Sequence, residues 1–216
     1  MIIKERMSRP VKTIGPDVPV LEALKRMKQQ HINRFPVVDR HGKMIGIVSK
    51  NDLLKASPSE ATMLSAWEVT SLLEKITVKK VMSKNPITVT EDTVVEEAAR
   101  IMVDNDVNGL PVMRNGELVG IITDGNLFEL FMEMLGARRS GIRISVVLKE
   151  AEGMLYHLSE AIFKGGGNIV SLSNFLGEST STREVVFKVN GMTEEALLKA
   201  VEPVVEKVLY VHHMKV

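Results

Sequence analysis

Apolar positions along this chain alternate between helical spacing and short continuous runs, and the alternation occurs twice. Val20, Ala23, Leu24 and Met27 fall three or four apart, which predicts a helix with one apolar face. Asp17 stands where a helix cap is expected, with Pro19 in the first turn. Upstream, Pro10, Gly15 and Pro16 predict a short extended stretch over residues 2–16. Downstream, Pro36 ends any helix, so Phe35 to Val38 reads as a short buried strand. Asp39-Arg40-His41-Gly42 reads as a turn, Met44 to Val48 as the returning strand, and Ser49 to Leu53 as the start of the next helix.

The same order returns further on. Sliding residues 7–38 over 82–113 and 42–53 over 116–127 gives 15 identities in 44 aligned pairs. A strand is expected around Ile87-Thr88-Val89, then a helix capped near Asp92 with Val95, Ala98, Ala99 and Met102 on its apolar face. Strands Pro111–Met113 and Leu118–Ile122 follow, with a closing helix from Asn126 to about Leu135. Between the copies, Ser57-Pro58-Ser59-Glu60 predicts a capping box that opens a helix carrying Leu64, Trp67, Leu72 and Ile76. Duplication of this size predicts two similar modules packed on each other, with function at their shared surface.

After the small, basic stretch Gly136–Gly141, expected to be a solvated linker, the pattern changes. Ile142, Ile144, Val146 and Leu148 alternate as a half-buried strand. Gly153 opens a helix with Leu155, Leu158, Ala161 and Ile162; Gly165-Gly166-Gly167 stops it before a strand at Asn168–Leu172. Glu184–Val189 is a third strand, Thr193 caps a helix begun by Glu194 and Glu195, and Val208–Met214 is the last strand. The order is βαββαβ. The fold class is therefore α+β. The expected divisions are 1–56 and 81–136 for the repeats, 57–80 for a connecting helix, 137–141 for a linker and 142–216 for the C-terminal domain.

Composition narrows the function classes. A net charge of +1 leaves no global field for nucleic acid or an anionic membrane. The absence of Cys removes disulfides, thiolate catalysis and Cys-ligated metals. No apolar run reaches membrane-spanning length, so a cytoplasmic location is expected. His212 and His213 are adjacent, so on a strand they point to opposite faces and cannot chelate one ion. With no nucleophile–base pair, paired carboxylates or metal cluster, no enzyme and no cofactor are expected.

Each repeat resembles a CBS motif, by Met7-Ser8 and Met82-Ser83, by Thr13 and Thr88, by the Pro-Val strand, and by the Gly-Ile-x-(Ser/Thr)-x-x-(Asp/Asn)-Leu ending. The C-terminal part resembles a ferredoxin-like ACT domain, by its element order, Gly153, and Gly167-Asn168-Ile169. Together they resemble the AcuB-type acetoin-utilisation family. The CBS resemblance implies an adenosine-containing ligand (AMP, ADP, ATP or S-adenosylmethionine) between the repeats. The residues expected to hold it are Thr13, Ile14, His31, Arg34, Phe35, Pro36, Ser49 and Asp52. Ser49 at a helix start suits a phosphate, and Asp52 would accept the ribose hydroxyls. In the second copy Asn126 replaces the aspartate and Asp106 stands in the place of His31. A weaker site is therefore expected at Thr88, Val89, Leu110, Pro111, Thr123 and Asn126, weaker by about 1–2 kcal/mol. The ACT resemblance implies a possible amino-acid site at Gly153, Met154, Asn168 and Ile169, and a homodimer. The expected function is a regulatory ligand sensor, with a ligand-free dimeric scaffold for a metabolic enzyme as the alternative.

Overall fold

Two helix starts in this protein, at Val20 and Val95, are secured by main chain from elsewhere in the sequence. The computed structural model describes residues 1–56 and 76–215, so Trp67, Leu64, Leu72 and the expected capping box at Ser57 lie outside the described residues. Contacts divide the chain into two units, Met1–Leu127 and Phe128–Val216.

In the first unit, α1 (Val20–Gln30) buries Val20, Ala23 and Met27, and α4 (Val95–Asp104) buries Val95, Ala98 and Met102. Neither Asp17 nor Asp92 is the cap. The N-cap residues are Pro19 and Val94, which have no side-chain cap bond. The first helical N–H donates instead to a distant carbonyl, Val20 to Ile76 at 2.9 Å and Val95 to Met1 at 3.2 Å. Main chain from another segment satisfies one of the four N–H groups that a helix start leaves without an intrahelical partner.

Each copy builds a three-stranded sheet. One holds β1 (Arg34–Val38), β2 (Met44–Ser49) and β3 (Ser83–Lys84); the other holds β4 (Val89–Thr90), β5 (Gly109–Arg114) and β6 (Glu117–Thr123). Short helices α2 (Lys50–Lys55) and α3 (Val78–Val81) join the first sheet's core. The leading segments are exchanged between the copies. Ile3 and Met7 pack with Val89, Ala98, Leu110, Val112 and Ile122 of the second copy. Val78 is buried in the first copy's core with Ile14, Val37 and Val48, and Met82 packs against it. Ile47 pairs with Ser83, and Ile121 pairs with Ser8. Residues 2–16 are not wholly extended, since a turn of 3-10 helix at Ile3–Glu5 turns the buried Ile3 inward. Gly46 permits the crossing: a Cβ there would lie 2.8 Å from both Met82 Sδ and Ser83 O, and Gly120 faces Met7 in the same way.

The second unit contains β7 (Gly141–Lys149), α6 (Met154–Lys164), β8 (Asn168–Leu176), β9 (Thr182–Asn190), α7 (Glu194–Val201) and β10 (Lys207–Met214). The sheet order is β10-β7-β9-β8, antiparallel throughout. Ile142, Ile144, Val146 and Leu148 face Leu158, Ile162, Leu197 and Val201 across one core. Thr193 caps α7 through Ala196 N–H at 3.2 Å, as its sequence predicts. Leu155 does not join the core and is 41% exposed.

The closing helix of the second copy, α5 (Asp124–Met134), begins two residues earlier than expected. The stretch after it is not the free linker its composition suggests. Gly136 is buried, and Lys188, only 2% exposed, donates from Nζ to Gly136 O at 2.6 Å and to Arg139 O at 3.1 Å. Ser171 Oγ donates to Leu135 O at 3.1 Å. Burial, with Arg143 nearby, pushes the Lys188 ammonium below its ordinary pKa.

Two outcomes follow from this packing. Ile3→Ala should cost about 2–4 kcal/mol in denaturant unfolding. Its hydrogen-exchange protection should fall in α4 and β5 of the second copy, while α1 keeps its own. Lys188→Ala should cost about 2–3 kcal/mol, because it leaves two carbonyls without a charged donor, and should speed proteolysis within residues 136–141.

Candidate functional site

The ends of β2 and β6 set the local chemistry, because each strand runs directly into a helix through a polar cap. Ser49 N–H and its hydroxyl donate to Asp52 Oδ2 at 2.8 and 2.7 Å, and Ser49 Oγ accepts from Asp52 N–H at 3.2 Å. This reciprocal bonding is a capping box. In the second copy Thr123 N–H and hydroxyl donate to Asn126 Oδ1 at 3.0 and 2.9 Å, and Thr123 Oγ1 accepts from Asn126 N–H at 3.4 Å. An amide thus performs the cap that a carboxylate performs in the first copy. Its spare Nδ2 donates to Ser8 Oγ at 3.3 Å, on the exchanged leading segment. The residues expected to bind ribose and phosphate are therefore structural caps as well.

Beside the second cap lies a cleft of about 340 Å³ within the first unit. One wall is Ser8, Pro10 and Lys12 with His31–Arg34; the other is Ile121 with Thr123–Gly125. His31 and Arg34 were expected beside Ser49 and Asp52, and here the structure corrects the sequence reading. The backbone does register Arg34 opposite Ser49. The Arg34 side chain, however, leaves toward the other copy, and neither Ser49 nor Asp52 lines this cleft. His31 ends α1 in a left-handed conformation (φ 53°), as Asp106 does at the matching position (φ 51°).

Arg34 is the most constrained group in the cleft. Its side chain is 14% exposed and lies over Gly109, where an added Cβ would collide with Nη1. Nη1 is buried without a hydrogen-bond partner. Nη2 is 4.0 Å from Asp124 Oδ1, an ion pair too long for a hydrogen bond. Burial lowers the guanidinium pKa, and Asp124 opposes that shift.

The other expected residues divide by role. Ile14, Phe35, Val89 and Leu110 spend their side chains in the two cores, and Pro36 and Pro111 are buried in β1 and β5. Thr13 and Thr88 are exposed. Sequence reasoning missed Ser8, Lys12 and Asp124 as cleft residues. The one available signal was Arg34 aligning with Gly109, a large side chain against none.

In the second unit Gly153 (φ 78°) and Met154 line a depression of about 230 Å³ with Tyr156, Asn174 and Arg183. Arg183 pairs with Glu150 there and holds its carboxyl below the ordinary pKa. Asn168 and Ile169 do not line it. They stand past the far end of α6, whose 11 residues span about 16 Å, so one protomer does not gather the four expected residues into one site. A wider groove of about 840 Å³ runs between α6 and α7, past His157, Ala161 and Ala200. His213 meets Glu194, and His212 stacks at a tilt on Tyr210. Among the described residues no three His, Asp or Glu side chains converge as a metal site. No described helix is long and apolar enough to cross a membrane.

The chain is similar to several solved structures. The CBS domain pair of protein MJ0100, in complex with 5′-methylthioadenosine and S-adenosyl-L-methionine, is 29% identical with a TM-score of 0.52, covering 64% of this chain and 98% of that one. CBSX2 in complex with AMP is 26% identical with a TM-score of 0.52, covering 62% and 97%. A protein assigned to acetoin utilization (AcuB) from Vibrio cholerae is 28% identical with a TM-score of 0.52, covering 64% and 95%. The family model of the CBS domain matches residues 3–59 and 78–133, more than half of the chain and in register with its two repeats. The chain belongs to the CBS-domain family.

Proposed function

We propose that this chain is a regulatory protein, without catalytic activity of its own, that senses an adenosine-containing ligand in the cleft between its CBS repeats. The observation that carries the reading is the cleft itself. Its volume of about 340 Å³ sits at the lower end of the range for ligand pockets. Its walls combine three basic side chains, Lys12, His31 and Arg34, with the hydroxyls of Ser8 and Thr123 and the start of α5. Such a helix start favours an anion. The adenosine ligands of MJ0100 and CBSX2 support the ligand class, AMP or an S-adenosyl compound, with ADP and ATP as larger candidates.

The C-terminal unit is, in this reading, an ACT domain that dimerises, and the chain acts on a partner enzyme, possible candidates including one of acetoin metabolism. Element order and sheet order support the domain assignment. The two sheet edges differ in a way that supports pairing through β8. The outer strand β10 carries Lys207, His212 and His213, whereas β8 carries no charge over Asn168–Leu176 and exposes Leu172, Phe175 and Leu176.

Calorimetry and thermal shift with AMP, ADP, ATP and S-adenosylmethionine test the sensor. At 100 times its dissociation constant a ligand adds about 2.7 kcal/mol, a shift of several degrees at most. If the ribose sits at the second cap, Asn126→Ala weakens binding by about tenfold while Asp52→Ala leaves it unchanged; the reverse result moves the ligand to the first cap. Absence of a shift with every nucleotide at millimolar concentration sinks the sensor and favours the ligand-free scaffold. Leu176→Lys should lower the dimer fraction in sedimentation if β8 edges pair.

A further inference from the structure

We propose that Asp124 holds Arg34 in the place of a ligand anion, so that the cleft selects nucleosides by a phosphate or carboxylate group on their 5′ substituent. The inference rests on the nucleotide reading above and goes further, since it assigns the selection to one ion pair between the repeats.

The pair is poised to be replaced. At 4.0 Å the Asp124 carboxylate offsets the charge of Arg34 without accepting a hydrogen bond from it. Nη1 has no acceptor in the protein and no contact with solvent. A guanidinium has five N–H donors in a planar fork, which phosphate and carboxylate groups match with two parallel bonds. An incoming anion therefore offers Arg34 what Asp124 does not. Asp124, with a side chain 46% exposed at the first turn of α5, can exchange Arg34 for water when an anion takes its place. An uncharged 5′ group gains nothing from Arg34 and leaves the pair intact.

The duplication makes this selection one-sided. The position matching Arg34 in the second copy is Gly109, and Arg34 lies across that glycine. One guanidinium therefore serves one cleft, and a side chain at 109 would push it away. Basic groups outnumber acidic ones on the cleft walls, with Lys12, His31 and Arg34 against Asp124.

The test is calorimetry on the full chain with four probes: AMP, adenosine, S-adenosylmethionine and 5′-methylthioadenosine. AMP against adenosine reads a phosphate; S-adenosylmethionine against 5′-methylthioadenosine reads an amino-acid carboxylate. In the unaltered protein the phosphate- or carboxylate-bearing member of at least one pair should bind about tenfold tighter or more. Arg34→Met, which keeps the stem over Gly109, should remove that preference and leave the neutral member within about threefold. Asp124→Asn should strengthen the phosphate- or carboxylate-bearing member of that pair several-fold and leave the neutral member unchanged. Equal loss of both members in Arg34→Met overturns the proposal, as does unchanged or weaker binding of that phosphate- or carboxylate-bearing member in Asp124→Asn. If Arg34→Met does not fold, the Asp124→Asn result alone decides. Failure of all four probes to bind the unaltered protein overturns the nucleotide reading itself, whereas equal binding within both pairs overturns only the role of Arg34.

Discussion

The exchange of leading segments is the constraint on which the first unit depends. Residues 1–8 complete the second copy and residues 76–84 complete the first, so neither copy owns all of its core. Each exchanged segment does three jobs. It supplies buried apolar side chains, it pairs with the returning strand, and its carbonyl receives the first N–H of a helix. These contacts close loops that run from Ile47–Ser83, 36 residues apart, to Ser8–Ile121, 113 apart, which raises the entropic cost of the folding nucleus and slows folding. The minimal folding unit is the pair.

The same crossing builds the cleft. It lays Ser8 and Lys12 beside Thr123 and lets the 31–34 stretch of one copy face the 123–125 stretch of the other. A ligand held there would touch both copies, because the walls belong to different repeats. Any ligand with unequal affinity for two arrangements of those walls shifts their populations by that difference and by no more. The cap at Thr123 fixes one wall, and the Arg34–Asp124 pair, which shares no hydrogen bond, is the contact across the cleft that a ligand anion would replace.

Most of the fold was legible in the chain, and the reasons are local. Ile142 to Leu148 alternate because one face of β7 is core, and Thr193 caps because its hydroxyl reaches N–H groups of its own helix. The larger failures are non-local. Asp17 and Asp92 looked like caps, but the helices begin only at Val20 and Val95, where carbonyls of Ile76 and Met1 receive the first N–H groups. His31 and Arg34 were grouped with the nearest matching motif in sequence, whereas the exchange turns them to the motif of the other copy. Gly136–Gly141 read as linker because nothing local announces that Lys188, 52 residues from Gly136, is aimed at it.

That lysine bears on how portable the C-terminal unit is. Its ammonium lies under the sheet with two carbonyls from residues 136 and 139 as its hydrogen-bonding partners. A βαββαβ unit cut at the first residue of β7 and joined to another protein would carry a buried cation stripped of those acceptors. The transferable module therefore begins before its first strand, at the closing turn of the helix that precedes it. Recombination that respects the apparent linker would fail here, whereas recombination upstream of Leu135 would carry the lysine together with its acceptors.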